Sequence, residues 1–232
     1  MNTEALRTVA ATYGTPTYIF DVREVEARIR LLRSLLPEDT GLCFAVKANP
    51  FLIPYVADLV DRLEVCSPGE YEICIQEQIA PEKIVVSGVN KTYESMKRIL
   101  SYSKGAGIYT IESEEHAKIL RTLAEKNQMP LSVLIRLSSG NQFGVDAETF
   151  FRLAKEIQES PYLTLAGVHY YAGTQKRQSK LEKELDTLTA FAKTFEEETG
   201  TVLNELEYGA GMKVSYFCLL YTSPSPRDAH ES

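Results

Sequence analysis

Residues 42–50 have the sequence Leu42-Cys43-Phe44-Ala45-Val46-Lys47-Ala48-Asn49-Pro50, a short apolar run that is closed by a lysine and a proline. Such a run, bounded by a turn residue, is typical of a β-strand, and we predict one over residues 42–46. Side chains alternate along a strand, so Cys43, Ala45 and Lys47 are expected to share one face. That face is small and suits a crowded interior, with the amine of Lys47 projecting at its end.

Six further runs of this kind follow, and amphipathic stretches separate them. The predicted strands cover residues 63–66, 84–86, 108–111, 133–137, 163–171 and 203–208. Between strands, apolar residues recur at spacings of three and four, as on one face of a helix, for example over 22–36 and 181–195. Asp21 and Ser67 are predicted to cap two of these helices, each with a glutamate three residues further on.

This alternation predicts an α/β protein with a parallel sheet. The regular spacing of the strands favours a (β/α)8 barrel of the TIM type over an open sheet. Seven strands can be assigned and an eighth cannot, so we expect an incomplete barrel with about seven of its eight strands.

The chain has 232 residues, a net charge of −7 and 44% hydrophobic residues, which is the composition of an ordinary globular protein. No lysine or arginine run interrupts the acidic balance, which argues against nucleic acid or an anionic membrane surface as a partner. The first residues lack the apolar core of a signal peptide, and no apolar stretch approaches the ~20 residues of a spanning helix. We therefore expect a cytoplasmic protein.

The cysteines and histidines lack the spacing of a zinc site. The four cysteines form no Cys-x-x-Cys pair, and the three histidines lie far apart in the sequence. We therefore expect no metal, and free thiols in a reducing compartment.

The lysine at the end of the first predicted strand is the first candidate for chemistry. In a barrel, functional side chains gather at the C-terminal ends of the strands. We expect Lys47 to be partly desolvated there, which would lower its pKa and favour a role as a Schiff-base nucleophile. The alternative is a lysine that snorkels from a strand edge into water.

Arg136 lies on the fifth predicted strand, on the opposite face from its apolar neighbours. A buried charge needs a partner, so we expect an acid beside it inside the barrel, with Glu64 as the candidate.

The ends of the sixth and seventh predicted strands carry an aromatic ring and a glycine-rich turn. His169 and Tyr171 share a face, and the Tyr171 ring can stack on a planar cofactor or simply pack at the rim. Gly173 and Thr174 offer an approachable backbone and a hydroxyl, and residues 209–211 form the turn Gly-Ala-Gly. Such a turn after a late barrel strand commonly holds phosphate, although many serve only backbone geometry. An amine, an aromatic platform and a phosphate cradle together indicate a pyridoxal-phosphate site.

The order of several motifs resembles a known family, the fold-type III pyridoxal-phosphate enzymes with the alanine racemase-like barrel. The branch is that of the diaminopimelate, ornithine and arginine decarboxylases. The matching segments are 15–21, Phe44-Ala45-Val46-Lys47-Ala48-Asn49, Leu63-Glu64-Val65-Cys66-Ser67-Pro68-Gly69-Glu70, Gln142-Phe143-Gly144, 167–175 and Gly209-Ala210-Gly211. The resemblance covers residues 15 to 217.

The resemblance implies a pyridoxal-phosphate-dependent decarboxylase of an amino acid. It implies that Lys47 forms the internal aldimine and that Thr174, Gly209 and Gly211 help to bind phosphate. The cofactor-binding set that it suggests is Lys47, Arg136, His169, Tyr171, Gly173, Thr174, Gly209, Ala210 and Gly211. The intact enzyme is expected to be a homodimer.

Two positions depart from the family pattern. Tyr171 stands where a stacking histidine is usual, after His169 at the first histidine of the motif, and Gln142 stands where lysine is usual. The ending Tyr171-Ala172-Gly173-Thr174-Gln175 looks more like the branch that acts in siderophore or antibiotic assembly, sometimes on a carrier protein. The resemblance therefore implies that the substrate is a small-molecule amino acid, free or carrier-bound.

The two ends of the chain differ from the rest. Residues 1–21 are expected to form an N-terminal segment with a strand belonging to a missing C-terminal β-domain, and residues 22–217 the cofactor-binding barrel. Residues 218–232, including Cys218, resemble a translated vector sequence and are expected to be a disordered, non-native tail. On this interpretation the chain is a truncated enzyme with little activity.

Three alternatives remain open from the sequence. An amino-acid racemase shares the barrel and the lysine, but usually has a different sequence after it than Ala48-Asn49-Pro50-Phe51-Leu52. A non-catalytic module that only binds pyridoxal phosphate is the second alternative. The third is an unfolded fragment, because seven strands would leave two open edges.

Overall fold

The computed structural model describes residues 3–140 and 143–214. Eight α-helices and seven β-strands alternate along most of this chain. The strands are β1 (Cys43–Ala45), β2 (Arg62–Val65), β3 (Ile84–Val86), β4 (Ile108–Ile111), β5 (Leu131–Arg136), β6 (Leu163–Tyr171) and β7 (Glu205–Gly209). The helices are α1 (Thr3–Tyr13), α2 (Val22–Leu35), α3 (Ile53–Val56), α4 (Pro68–Gln76), α5 (Tyr93–Ser103), α6 (Glu114–Asn127), α7 (Ala147–Gln158) and α8 (Gln178–Thr199).

The strands form one parallel sheet in the order β1-β2-β3-β4-β5-β6-β7. Each strand pairs with the one before it, which is the topology of a (β/α)8 barrel. All seven predicted strands are present, and the predicted fold class is confirmed. An eighth strand is absent from residues 3–140 and 143–214, so the barrel is incomplete in this part of the chain.

Polar contacts across the interior show that the sheet curls towards closure. The guanidinium of Arg62 on β2 pairs with the carboxylate of Glu205 on β7, and one of the two hydrogen bonds measures 3.2 Å. His169 Nε2 on β6 lies 3.8 Å from Glu64 Oε1 on β2. Because these residues come from opposite ends of the sheet, the strands surround a common interior.

The first strand ends earlier than the sequence predicted. Val46, Lys47 and Ala48 form a 3-10 turn, and a second one covers Pro50–Leu52. The side chain of Asn49 accepts a hydrogen bond from the Phe51 N–H at 3.1 Å, which stabilises this break. Lys47 is therefore placed by a turn, and the expectation that it continues the strand alternation of Cys43 and Ala45 was wrong.

The core lies between the sheet and the outer helices. Its largest fully buried side chains include Tyr109, Phe150 and Phe195. The ring of Phe150 makes edge contacts with Phe191 at 4.9 Å and Phe195 at 5.6 Å, joining α7 to α8. The helix over 22–36 is confirmed as α2, but it has no fully buried residue.

The two predicted helix caps are confirmed. Ser67 Oγ accepts a hydrogen bond from the Glu70 N–H at 3.2 Å, with Pro68 in the first helical turn. The Cys66 N–H, one residue before the cap, donates a hydrogen bond to a Glu70 carboxylate oxygen at 2.9 Å. Asp21 accepts from the Arg23 N–H at the start of α2. The Ser67 cap fixes α4 directly after β2, at the strand end where Cys66 lies.

The N-terminal segment is helical over α1, and residues 14–21 belong to no strand. That these residues pair with a separate β-domain stays a prediction. Gln142 and residues 215–232, which include Cys218, lie outside the described residues. Among the described helices, none is both long enough and apolar enough to cross a bilayer.

Candidate active site

Three strand ends meet at the mouth of the barrel and bring an amine, a ring and a glycine turn together. Lys47 Nζ, just after β1, lies 5.5 Å from the centroid of the Tyr171 ring at the end of β6. The Tyr171 ring packs against Gly209 at the end of β7, where an added Cβ would lie 2.5 Å from its Cδ2. Glycine at position 209 is therefore required for the ring to occupy this place, and the sequence-based grouping of these residues agrees with the geometry.

The electrostatics of Lys47 differ from the sequence expectation. Burial by itself lowers the pKa of Lys47, but the Glu64 carboxylate, the Cys66 thiol and Tyr171 raise it, and the net pKa lies above its usual value. Desolvation is the largest single effect on this amine, but the three neighbouring groups together outweigh it. The expectation of a lowered pKa was wrong for this chain, and the free amine is held as an ammonium ion.

Glu64 forms the acidic wall beside that amine. Ser87 Oγ donates a hydrogen bond to Glu64 Oε1 at 2.6 Å, and Cys66 Sγ lies 3.3 Å from Ser87 Oγ. Gly88 adopts φ +83°, and an added Cβ there would lie 2.2 Å from the Cys66 carbonyl oxygen. The close approach of the β3 end to the β2 end, which places Ser87 on Glu64, therefore needs glycine at position 88.

Arg136 is paired with an acid inside the barrel, as expected, but the acid is Glu112 and not Glu64. Arg136 Nη1 donates to Glu112 Oε2 at 3.0 Å, and its guanidinium lies 5.2 Å from the centroid of the Phe143 ring. Glu112 follows β4, the neighbour of β5, whereas Glu64 lies on β2. The alternation rule placed Arg136 inside correctly but could not decide which inward acid lies beside it.

A second buried cation completes the Glu112 cluster. Lys91 Nζ lies 3.5 Å from Glu112 Oε1, and both side chains are almost fully buried. Burial lowers the pKa of Lys91 to about 8, although the Glu112 carboxylate opposes that shift. Burial raises the pKa of Glu112, but Lys91 and Arg136 outweigh it, so the net pKa is low and the carboxylate is ionised. No local pattern pointed to Lys91, because it lies in the loop after β3.

His169 lies on the floor of the site and is neutral. Burial lowers its pKa to about 4, with Arg136 acting in the same direction and Glu64 against it. Its Nδ1 has no hydrogen-bond partner among the described residues. An uncharged imidazole can pack beneath a planar ring without adding charge to the site.

Glu64, His169 and Glu207 form a group of potential ligand atoms within 4.8 Å of one another. Burial and the Glu64 charge raise the pKa of Glu207 to about 7, and its Oε2 has no partner within the described part of the chain. The sequence-based expectation of no metal considered only cysteine and histidine spacing. It could not show this group, because the three residues come from β2, β6 and β7.

Gly173 and the turn after β7 form a close backbone contact. Gly211 has φ +58°, and an added Cβ there would lie 2.0 Å from the Gly173 carbonyl oxygen. Gly173 itself has φ +107° and faces open space, since an added Cβ would meet nothing within 4 Å. Thr174 is exposed beside it, and Ala210 lies between the two glycines of the turn. The open space bordered by these peptide groups suits the phosphate oxygens of a ligand.

Lys176 supports this turn and was missed in the sequence. Its amine donates to Glu184 Oε2 at 2.6 Å, and the Tyr208 hydroxyl donates to the same oxygen at 2.7 Å. Burial raises the pKa of Glu184, but these two hydrogen bonds outweigh it and leave the pKa below its ordinary value. A lysine two residues after Thr174 carries no local signal of burial, so only the tertiary structure reveals the contact.

These residues fit pyridoxal phosphate. The cofactor has an aldehyde, a planar ring and a phosphate, and the site offers an amine, an aromatic side chain and a glycine cradle for them. His169 Nδ1 and Glu207 Oε2, which have no hydrogen-bond partner within residues 3–140 and 143–214, provide further polar atoms in the interior. The assignment of individual residues to the cofactor stays a prediction.

A parallel sheet with its strands in sequential order, and with Lys47 and Tyr171 together at its strand ends, defines the class of the fold, an α/β-barrel domain of the TIM type. Residues 22–219 match the family described as "Pyridoxal-dependent decarboxylase, pyridoxal binding domain". The chain belongs to this family, and the family resemblance deduced from its motifs is confirmed.

Relatives with decarboxylase names support the same family. The chain is 32% identical to "Diaminopimelate decarboxylase" of Actinosynnema pretiosum subsp. auranticum, over 90% of this chain and 50% of that protein. It is also 32% identical to the Pseudomonas aeruginosa protein of the same name, over 91% of this chain and 55% of that protein. The chain thus spans about half the length of these relatives.

A solved structure supports the fold. The lysine/ornithine decarboxylase of Vibrio vulnificus, in complex with putrescine, aligns with a TM-score of 0.80 at 18% identity. The alignment covers 92% of this chain and 57% of that one. At this identity the likeness bears on the barrel and not on the substrate.

Proposed function

We propose that this chain is the cofactor-binding barrel of a pyridoxal-phosphate-dependent amino-acid decarboxylase. The observation that carries the proposal is the position of Lys47 Nζ, 5.5 Å from the Tyr171 ring centroid, with that ring seated on Gly209. The family membership and the decarboxylase names of the relatives support it.

Different residues of this chain would bind different parts of the cofactor. Lys47 would hold it through its aldehyde, and Tyr171 would lie against its ring. Gly173, Thr174 and the turn 209–211 would bind its phosphate through N–H groups and the threonine hydroxyl. When bound, pyridoxal phosphate supplies an electron-withdrawing ring that takes up the electron pair left when a carboxylate departs as CO2.

The protein controls the proton on Lys47. Glu64 raises the pKa of that amine, so the lysine is charged when free and must release a proton before it can attack an aldehyde. Glu64 is held by Ser87 and stabilises the protonated amine, which can then return a proton after CO2 has left. His169 closes the floor of the pocket as a neutral side chain and excludes water there.

Arg136 has an indirect place in this proposal. Its guanidinium is hydrogen-bonded to Glu112 and lies over the Phe143 ring. It therefore fixes the charge balance of the pocket and contributes to the lowered pKa of His169. Direct contact between Arg136 and the cofactor stays a prediction.

The substrate, assembly and location are further parts of the proposal. The substrate is an amino acid, either free or attached to a carrier, as the Tyr171-Ala172-Gly173-Thr174-Gln175 ending suggests. The intact enzyme is a homodimer in the cytoplasm. The free thiols of Cys43, Cys66 and Cys74 support a reducing compartment.

The test is covalent labelling of Lys47. The chain is incubated with pyridoxal phosphate, reduced with borohydride and mapped by peptide mass spectrometry. We expect the added mass on the peptide that contains Lys47, its loss in Lys47→Arg, and no change in Lys118→Arg, an exposed lysine on α6. Labelling at other lysines with residue 47 unmodified would contradict the proposal.

Activity measured on an intact homologue separates the alternatives, because this chain spans about half the length of its relatives and is expected to have little activity by itself. Release of CO2 from an amino-acid panel, with and without carrier attachment, supports a decarboxylase. Exchange of enantiomers without CO2 release would support the racemase alternative. Labelling of Lys47 with neither reaction would support a module that only binds the cofactor.

A further inference from the structure

Lys176 is a buried cation beside the proposed phosphate site that the proposed chemistry does not use. Its side chain is 2% exposed. The amine lies 2.6 Å from Glu184 Oε2, 3.4 Å from the Gly209 carbonyl oxygen and 5.2 Å from the centroid of the Tyr208 ring. A lysine is rarely buried this completely unless its charge is paired, and here Glu184 supplies the pair.

The backbone of Lys176 is tied to the same turn as its side chain. The Lys176 N–H donates to the Gly211 carbonyl at 2.9 Å, and the Lys213 N–H donates to the Lys176 carbonyl at 3.0 Å. The Val214 N–H donates to the side chain of Gln175 at 3.2 Å. The loop after β6 is therefore joined to the turn after β7 at several points, and Lys176 accounts for most of them.

These contacts orient the peptide groups of the turn. In a trans peptide the carbonyl and the following N–H point in opposite directions. Lys176 draws the carbonyls of Gly209 and Gly211 towards itself, so the N–H groups of Ala210 and Met212 are directed away from it. A phosphate in the cradle would need N–H groups that face it in a fixed arrangement.

An apolar side chain at position 176 could fill the same space, but it could not hold the Gly209 carbonyl. Glu184 lies on α8, and the Tyr208 hydroxyl donates to the same Glu184 oxygen at 2.7 Å. The ion pair of Lys176 and Glu184 therefore holds the turn between α8, which carries Glu184, and β7, which carries Tyr208. A purely structural core contact would not need to end on a carbonyl of the glycine turn.

We propose that Lys176, held by Glu184 and Tyr208, is a positioning residue that orients the turn 209–211 for a phosphate group. The inference rests on the proposed function, since it assumes that pyridoxal phosphate is the ligand. It adds a residue set that acts on the phosphate through the backbone and does not touch the ring of the cofactor.

The test compares two ligands that differ only in the phosphate. The dissociation constants of pyridoxal 5′-phosphate and of pyridoxal are measured for the chain and for Lys176→Met. We expect the value for pyridoxal phosphate to rise roughly tenfold, as for one lost charge-assisted contact, and that for pyridoxal to stay within about twofold. Lys193→Met, at an exposed lysine on α8, is the matched control and should change neither value.

Milder variants keep the test decisive if Lys176→Met does not fold. Tyr208→Phe removes one hydrogen bond to Glu184, and Lys176→Arg keeps the charge. We expect Tyr208→Phe to raise the dissociation constant for pyridoxal phosphate relative to that for pyridoxal, by a smaller factor than Lys176→Met does. Lys176→Arg should keep most of the preference for pyridoxal phosphate that the unmodified chain shows.

The outcomes are distinct. Equal weakening of both ligands, or no change in either, would overturn the positioning role while leaving the proposed function intact. If the unmodified chain shows no preference for pyridoxal phosphate over pyridoxal and no label on Lys47, the proposed function fails and this inference falls with it.

Discussion

The amine of Lys47 lies over the face of the Tyr171 ring, with 5.5 Å between Nζ and the ring centroid. One residue follows the first strand and the other ends the sixth, so only closure of the sheet brings them together. The contact pairs the proposed reactive group with the proposed stacking platform.

Tyr171→Ala is expected to weaken binding of pyridoxal phosphate by about tenfold, because it removes both the aromatic face and the packing on Gly209. Tyr171→Phe keeps the ring and should stay within about twofold. The dissociation constant measured by absorbance titration checks this. Equal losses in the two variants would show that the hydroxyl, and not the ring, is what matters.

Arg136→Met is expected to destabilise the chain by about 3 kcal/mol, since it breaks the buried contact with Glu112. The matched control is Arg152→Ala, which removes exposed ion pairs to Glu114 and Glu156 and should cost no more than about 1 kcal/mol. Urea unfolding followed by circular dichroism gives both values. Similar losses for the two variants would mean that the Glu112 cluster is not a stabilising unit.

The carboxyl of Glu207 should make stability depend on pH. Burial raises its pKa to about 7, so the folded chain holds this proton more tightly than the unfolded chain does. Its contribution is therefore complete at low pH and is lost as the pH rises through about 7, to a total of at most about 3 kcal/mol.

Glu207→Gln should remove this pH-dependent contribution to the free energy of unfolding. The difference in that free energy, variant minus unmodified chain, should therefore be greater at pH 8 than at pH 5. Urea unfolding at the two pH values checks this, with Glu198→Gln at an exposed position on α8 as the control. A difference that does not change with pH would contradict a raised pKa for Glu207.

Gly211→Ala should disrupt the turn after β7. An added Cβ would lie 2.0 Å from the Gly173 carbonyl, and the φ of +58° is itself unfavourable for alanine. Gly200→Ala at φ +68° meets no atom within 4 Å, so it carries only the backbone cost of about 1 kcal/mol. We expect Gly211→Ala to cost more in urea unfolding and to weaken pyridoxal phosphate more than pyridoxal.

Much of the fold could be predicted from the sequence because its signals are local. Short apolar runs located the seven strands, and Ser67 and Asp21 marked two helix starts. Local signals also placed Tyr171 and the 209–211 turn at strand ends, since the ends of neighbouring parallel strands share one edge of the sheet.

The contacts between strands could not be predicted in the same way. Inward alternation put Arg136 inside the barrel, but its partner depends on which acid the neighbouring strand presents. Lys47 was expected to follow the strand pattern and instead lies in a 3-10 turn, where Glu64, Cys66 and Tyr171 together outweigh desolvation. Lys91 and Lys176 lie in loops, and their burial becomes visible only when the chain closes around them.

Every described strand lies next to its predecessor in the chain, so a polypeptide leaving the ribosome can add each unit to a partner already made. The residues of the proposed site, by contrast, do not come together one strand at a time. The Lys47 amine emerges with the first strand, but the ring and the glycine turn arrive only with the sixth and seventh, so synthesis must pass the turn at residues 209–211 before the amine gains these partners.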